Sequence, residues 1–211
     1  MTPETTLRAD AQRNRDKIVA SARGAFAERG LDTSLDDIAR CAGVGSGTLY
    51  RHFPSREDLI SAVFAERMTE NVEAVEMALA DPDPWNGFSE YVRRTCRAQA
   101  EDRGLADLMA IGQRGRELQE QRDLGYNKFV QLIRKAQETG DLRSDFTPED
   151  IVLLLMANAG IVERAGTAGK DASERFTALM LDGFRTTGAT EAPPPVSPKA
   201  LISVLRGKTE I

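Results

Sequence analysis

Residues 33–58 read TSLDDIARCAGVGSGTLYRHFPSRED. The spacing of their apolar positions predicts two short helices, a tight turn between them and the start of a third. Leu35, Ile38, Ala39 and Ala42 recur at steps of three and four, which gives the first short helix one apolar face. Ser34 is placed to cap it, with Asp37 three residues on as a reciprocal partner. Gly43 can take the positive φ that a tight turn between helices needs. Beyond it, Val44, Leu49 and Phe53 point inward. Ser46, Gly47, Thr48, Tyr50, Arg51 and His52 are left outward, so the second short helix exposes a small, hydrogen-bonding and basic side. A helix entering the major groove beside phosphates needs that composition. Helix pairs with a glycine turn also occur in proteins that never touch DNA, and spacing alone leaves both readings open.

The particular residues narrow the choice. Ile38-Ala39, Ala42-Gly43-Val44, Gly47-Thr48-Leu49-Tyr50 and His52-Phe53, followed by Ser55, Arg56 and Leu59, resemble the DNA-binding segment of the TetR family of transcriptional regulators. The match reaches back through Ile18, Ala22, Phe26, Gly30 and Thr33 and covers the first quarter to third of the chain. The remainder resembles that family only in being helical and of suitable length. The resemblance implies an all-α fold. A three-helix helix-turn-helix DNA-binding domain would occupy residues 1–54, a helical bundle for ligand binding and dimerisation 55–188, and a Pro-rich spacer and tail 189–211. It further implies a homodimeric repressor on a palindromic double-stranded operator, released by a small-molecule effector. The alternative is a ligand-binding or scaffold helical protein without DNA affinity.

The candidate DNA contacts are Thr33, Ser46, Gly47, Thr48, Tyr50, Arg51, His52 and Arg56. Thr48, Tyr50 and Arg56 are expected on phosphates, and Ser46, Gly47 and Arg51 near base edges. His52 is the single histidine; as a metal ligand it would lack companions, and a neutral imidazole donating to a phosphate suits it better. Two positions depart from the family pattern. Gly45 stands where Ser or Thr is frequent; it caps less well and has no hydroxyl to offer a phosphate. Arg56 stands where Lys is common and keeps the charge while adding a bidentate fork.

The formal net charge of −5 argues at first against DNA. Its distribution argues the other way: Arg8 to Arg56 holds nine Lys or Arg against six Asp or Glu, a local balance of +3. A mildly basic head on an acidic body predicts steep salt dependence, since phosphate contacts displace counterions. Residues 1–17 are polar and charged, unlike a signal peptide. The longest apolar run, Ile151 to Val162, is too short to span a bilayer. A cytoplasmic protein without membrane contact is expected. Cys41 and Cys96 lack metal-type spacing and are expected as buried free thiols. There is no phosphate-cradling glycine loop, nucleophile elbow or second histidine, so no enzyme activity, cofactor or metal is expected.

Along the chain, residues 1 to about 10 read as a flexible arm. Arg8, Arg13, Arg15 and Lys17 are either a solvated helix end or contacts to phosphate and minor groove. Helix one is predicted from about Asn14 to Arg29. Ser55 with Asp58 opens a long helix that Asp81-Pro82-Asp83-Pro84 stops. Helices follow from Trp85, around Leu105 to Ile111, and from about Arg116 to Thr139, closed by Gly140. Thr147-Pro148-Glu149-Asp150 is a strong start for a helix apolar nearly all round; such a helix needs cover on several sides. That helix and the next, about Ala172 to Thr186, resemble the dimer-forming pair of the family. Candidate pocket residues in the second domain are Trp85, Tyr91, Met109, Gln113, Tyr126, Phe129 and Asn158. Asn158 must find a hydrogen-bond partner within its apolar helix. That partner could be a ligand, another helix or the second subunit. Lys199 to Arg206 could form a short terminal helix after the proline spacer.

Overall fold

The computed structural model describes residues 3–101 and 116–197. Among them the chain is helical, with no named strand: α1 (Pro3–Arg29), α2 (Leu35–Cys41), α3 (Ser46–His52), α4 (Arg56–Leu79), α5 (Pro84–Glu101), α6 (Arg116–Glu138), α7 (Pro148–Ala165), a 3-10 turn (Gly166–Ala168) and α8 (Gly169–Phe184). The helix predicted over Leu105–Ile111 and the terminal one over Lys199–Arg206 lie outside the described residues, as do Met109 and Gln113.

Helix starts and stops follow local chemistry. The Ser55 hydroxyl donates to the Asp58 carboxylate at 2.7 Å while the Asp58 amide donates back to it at 3.1 Å, opening α4. Asp83 accepts the amides of Trp85 and Asn86 at 3.0 and 3.1 Å, with Pro84 as the first residue of α5. Thr147 and Asp150 form a reciprocal capping box at the start of α7, and Pro148 follows the cap. Gly140, at φ +80°, closes α6.

Two expectations are corrected. Helix α1 begins at Pro3 rather than near Asn14, so the predicted arm is helical from Pro3 onward. Its residues include good helix formers, and pairs one turn apart support it: Gln12 donates to Asp16 at 2.7 Å, and Arg13 pairs with Asp10. Ser34 stands at the start of α2, but its hydroxyl makes no capping bond, and its backbone carbonyl accepts the Ile38 amide instead.

The described residues divide into two compact units, 3–67 and 68–101 with 116–197. The division falls inside α4, between Arg67 and Met68, where the sequence suggested a boundary after Pro54. An unbroken helix shared by two units carries no proline or glycine to mark the change. The first unit buries Ile18, Ala22, Phe26, Ile38, Leu49 and Leu59. The second has its own core, which includes Val75, Phe88, Val92, Leu132, Leu142, Leu154 and Leu181. Phe88, Phe146 and Phe184 make edge contacts there, with centroids 5.4 and 4.9 Å apart.

By length and composition alone, Pro148–Phe184 could cross a membrane, a longer stretch than the run Ile151 to Val162 suggested. Gly166, at φ +57°, breaks it, and α8 packs back on α7. Close approach follows: a Cβ on Gly169 would lie 2.9 Å from the Val162 carbonyl oxygen. Residues 189–197 have no regular structure, as a proline spacer predicts, but their root is tied down. Arg143 donates to the Thr190 carbonyl at 2.7 Å, and the Ala192 amide donates to Asp145 at 3.2 Å.

Candidate nucleic-acid interface

Helix α3 has only seven residues, too few to persist alone. It is held from both ends and beneath. Before it, Gly43 at φ +68° lets the Gly43 amide reach the Arg40 carbonyl at 3.1 Å and the Val44 amide the Ala39 carbonyl at 3.0 Å. This paired motif ends α2 and turns the chain. Gly45 is extended and caps α3 through its carbonyl only, which accepts the amides of Thr48 and Leu49. Leu49 and Phe53 are buried under the helix, and the Arg15 guanidinium lies 5.4 Å from the Phe53 ring centroid.

With that side anchored, Ser46, Gly47, Tyr50 and Arg51 are exposed, and Thr48 and His52 are half-buried. Tyr50 keeps 47% of its surface open, unusual for an aromatic ring beside a core. Arg51 makes no ion pair among the described residues. A Cβ on Gly47 would meet nothing within 4 Å, and its φ is not positive, so the chain's own packing does not require glycine there. The Ser46 hydroxyl donates to the Asp36 carboxylate of α2 at 2.7 Å.

Thr33 and Arg56 are placed differently from the other candidates. Thr33 is buried, and its hydroxyl donates to the Gly30 carbonyl at 2.8 Å. One terminal nitrogen of Arg56 donates to the carbonyls of Leu31 and Thr33, both at 2.7 Å. Together they clamp the loop between α1 and α2. Of the other basic residues, Arg13 pairs with Asp10, Arg40 with Asp37, and Lys17 is exposed. Cys41 is exposed rather than buried: it ends α2 on the side away from the apolar face. Cys96 is buried as expected.

The described ligand candidates, Trp85, Tyr91, Tyr126, Phe129 and Asn158, do not converge on one place. Tyr91 and Phe129 are together, with centroids 5.3 Å apart, and the Tyr91 hydroxyl donates to Asn71 at 3.0 Å. Burial raises the Tyr91 pKa, against a smaller lowering by Asn71. Trp85 instead stacks under Arg185 at 4.3 Å, and Tyr126 is exposed. Asn158 is fully buried, and its amide nitrogen donates to Gln99 at 2.8 Å and to the Cys96 carbonyl at 3.3 Å. Another helix thus supplies part of what Asn158 needs. Its carbonyl oxygen, and the buried Ser173 hydroxyl of α8, have no partner among the described residues. A small cleft of about 100 Å³, lined by Arg143, Phe146, Phe184 and Pro193 among others, includes none of the candidates. No group of three or more His, Cys, Asp or Glu among the described residues could hold a metal ion.

Residues 18–63 match the family model for bacterial regulatory proteins of the tetR family, and residues 83–186 match that for the SbtR-like transcriptional regulator C-terminal domain. The crystal structure of the TetR transcriptional regulator SCO0520 from Streptomyces coelicolor is 36% identical, with 82% of this chain and 99% of that one covered and a TM-score of 0.60. The chain belongs to the TetR family. A TetR transcription regulatory protein from Mycobacterium vanbaalenii is 32% identical, covering 85% and 99% of the two chains, also at a TM-score of 0.60. The transcriptional regulator UidR of Escherichia coli K12 is 29% identical over 152 residues, 66% of this chain and 74% of its own.

The chain is therefore a TetR-family transcriptional regulator. Members of this family are typically DNA-binding repressors with ligand-binding C-terminal domains, and they typically dimerise. The TetR family is regulatory rather than enzymatic. The tetR-family match, residues 18–63, spans α2, the turn and α3.

Proposed function

We propose that this TetR-family chain is a cytoplasmic homodimeric repressor that holds a palindromic operator through α3 and releases it when a small molecule occupies the second unit. The exposed side of α3 carries this reading, with Arg51 in no ion pair among the described residues and Gly47 bare for no internal reason. A bare glycine on a helix surface lets another backbone approach closely. Arg51, Ser46 and Gly47 meet base edges in this reading, while Thr48, Tyr50 and His52 meet phosphates. Beyond the nitrogen that clamps the loop, Arg56 carries N–H groups with no partner among the described residues, so it can hold the loop and reach a phosphate together. Thr33 acts through that loop, because its hydroxyl is turned inward.

The homodimer is supported by α7 and α8, which expose Leu153, Met156 and Leu179 at 39%, 37% and 57%. Apolar side chains left open on adjacent helices suit burial against a second copy. Two heads related by a twofold axis then match a palindromic site. For the effector, Tyr91, Phe129 and Asn158 are the favoured contacts. An unpaired buried amide oxygen costs about 1–3 kcal/mol, so a ligand bringing a donor to Asn158 would be favoured.

The experiment is selection of duplexes from random and chromosomal pools by the purified protein, followed by a screen of small molecules for release. Enrichment of one palindrome, bound by two chains and freed by a compound that also raises the melting temperature, supports the proposal. Recovery of no common sequence contradicts it.

A further inference from the structure

The two acidic residues at the start of α2 have different surroundings. Asp37 faces Arg40 in an ion pair and Arg29 at 4.0 Å, so its charge is answered within the protein. Asp36 is exposed and has no cationic partner among the described residues. Its described contact is the Ser46 hydroxyl at 2.7 Å, across the gap between α2 and the leading residue of α3. The first turn of α2 favours an acid at Asp36 through the helix dipole. Yet a carboxylate beside the proposed reading helix would be repelled by phosphates, so attraction to the DNA backbone does not account for its place there.

Hydrogen-bond capacity suggests what does. A serine hydroxyl has one proton, and in Ser46 that proton is committed to Asp36. What remains on Ser46 is lone pairs, and an ionised carboxylate offers only lone pairs. The pair therefore presents acceptors and no donor to anything approaching from outside. In the major groove the groups that match are the exocyclic amines, N4 of cytosine and N6 of adenine. Guanine O6 and N7, thymine O4 and the phosphate oxygens are acceptors and would be rejected.

We infer that Asp36 and Ser46 act as one acceptor-only reading element, which demands a base with an exocyclic amine at one position of each operator half-site. This rests on the DNA-binding role of α3 and adds a specificity determinant from α2. It also changes the part played by Ser46, whose hydroxyl serves as an acceptor toward the base.

The test uses the full chain and the duplex it selects. At each operator position cytosine is replaced by 2-pyrimidinone, or adenine by unsubstituted purine, which deletes the amine alone. The wild-type protein should lose about tenfold in affinity at one position per half-site, and the base at that position says which amine is read. Asp36→Ala should reduce that penalty below about twofold and should raise affinity for random duplex, because a charge facing the phosphates is gone. Asp36→Asn keeps the shape and can still accept from Ser46, but its amide also donates. It should tolerate bases that present acceptors, and it decides the matter if Asp36→Ala melts early. The inference is overturned if the wild type is indifferent to every amine deletion, or if Asp36→Asn keeps the full penalty. A wild type that selects no duplex overturns the DNA-binding reading itself, and this inference with it.

Discussion

The pair α2–α3 and the pair α7–α8 are built alike and expose opposite chemistry. Each joins two helices through a short connection that contains a positive-φ glycine, Gly43 at +68° and Gly166 at +57°. Inside, α2–α3 is apolar, resting on Leu35, Ile38, Ala39 and Leu49, whereas α7–α8 buries Asn158, Ser173 and Thr177 among its apolar residues. Outside, the order reverses. The first pair shows hydroxyls, a phenol and an arginine; the second shows Leu153, Met156 and Leu179 between exposed charges such as Lys170 and Glu174. The turn makes a helix pair possible, and the exposed side decides what it meets. Nucleic acid suits the first, a second protein surface the second.

The sharpest way to break this comparison is to give the second pair charges. Met156→Asp combined with Leu179→Asp should yield a monomer in analytical ultracentrifugation with helicity retained. Operator affinity should fall on the order of 100-fold, since the two heads would no longer be linked. A variant that stays dimeric would show that this face is not the contact between copies.

On the first pair, Arg51→Ala should cost about 1–3 kcal/mol of discrimination between the operator and single-base variants. Fluorescence anisotropy on matched duplexes reads this directly. Equal weakening on random DNA would assign Arg51 to phosphate.

The two glycines of this region should respond in opposite senses. Gly43→Ala forces a side chain into the left-handed region and should lower stability by about 1–2 kcal/mol in chemical denaturation. Gly47→Ala lies in a helix with open space around it and should raise stability by about 0.5–1 kcal/mol. It should nevertheless weaken operator binding. If Gly47→Ala binds as well as the wild type, close approach at that position is wrong.

A smaller effect distinguishes the units by pH. Burial raises the Tyr91 hydroxyl and, despite Thr177, the Cys96 thiol. The folded chain then holds these protons more tightly than the unfolded chain does. The stability they contribute is intact below the unfolded values, about 8.5 for Cys and about 10 for Tyr, and is lost as pH rises beyond them. Melting curves of the second unit should therefore drop above that range. At pH 8, iodoacetamide should label exposed Cys41 in the native chain and spare Cys96, as peptide mass mapping would show.

Much of this was legible in the residues. The period of Leu35, Ile38 and Ala39, the turn glycine and the anchors Leu49 and Phe53 all stand as the pattern predicts, as do the starts of α4 and α7 and the stop at Gly140. These depend on neighbours three or four residues away, which sequence displays. What was not legible depends on partners far along the chain. The clamp of Arg56 on Leu31 and Thr33 spans more than twenty residues. Nothing in the sequence sets Asp36 apart from other acids on a helix surface, since its bond to Ser46 of the next helix is made only in the fold. The pocket candidates are aromatic or polar residues in an apolar setting, a criterion that does not separate Tyr91 inside from Tyr126 outside.

One measurement bears most directly on the central claim that the exposed side of α3 reads duplex DNA, two copies at a time. Anisotropy titrations of the wild-type chain on its selected palindrome and on a scrambled duplex, across a series of salt concentrations, would provide it. The account predicts two chains per palindrome, a preference of at least about 1,000-fold over the scramble, and affinity that falls steeply as salt rises. Equal affinity for both duplexes, or none for either at low salt, would contradict it.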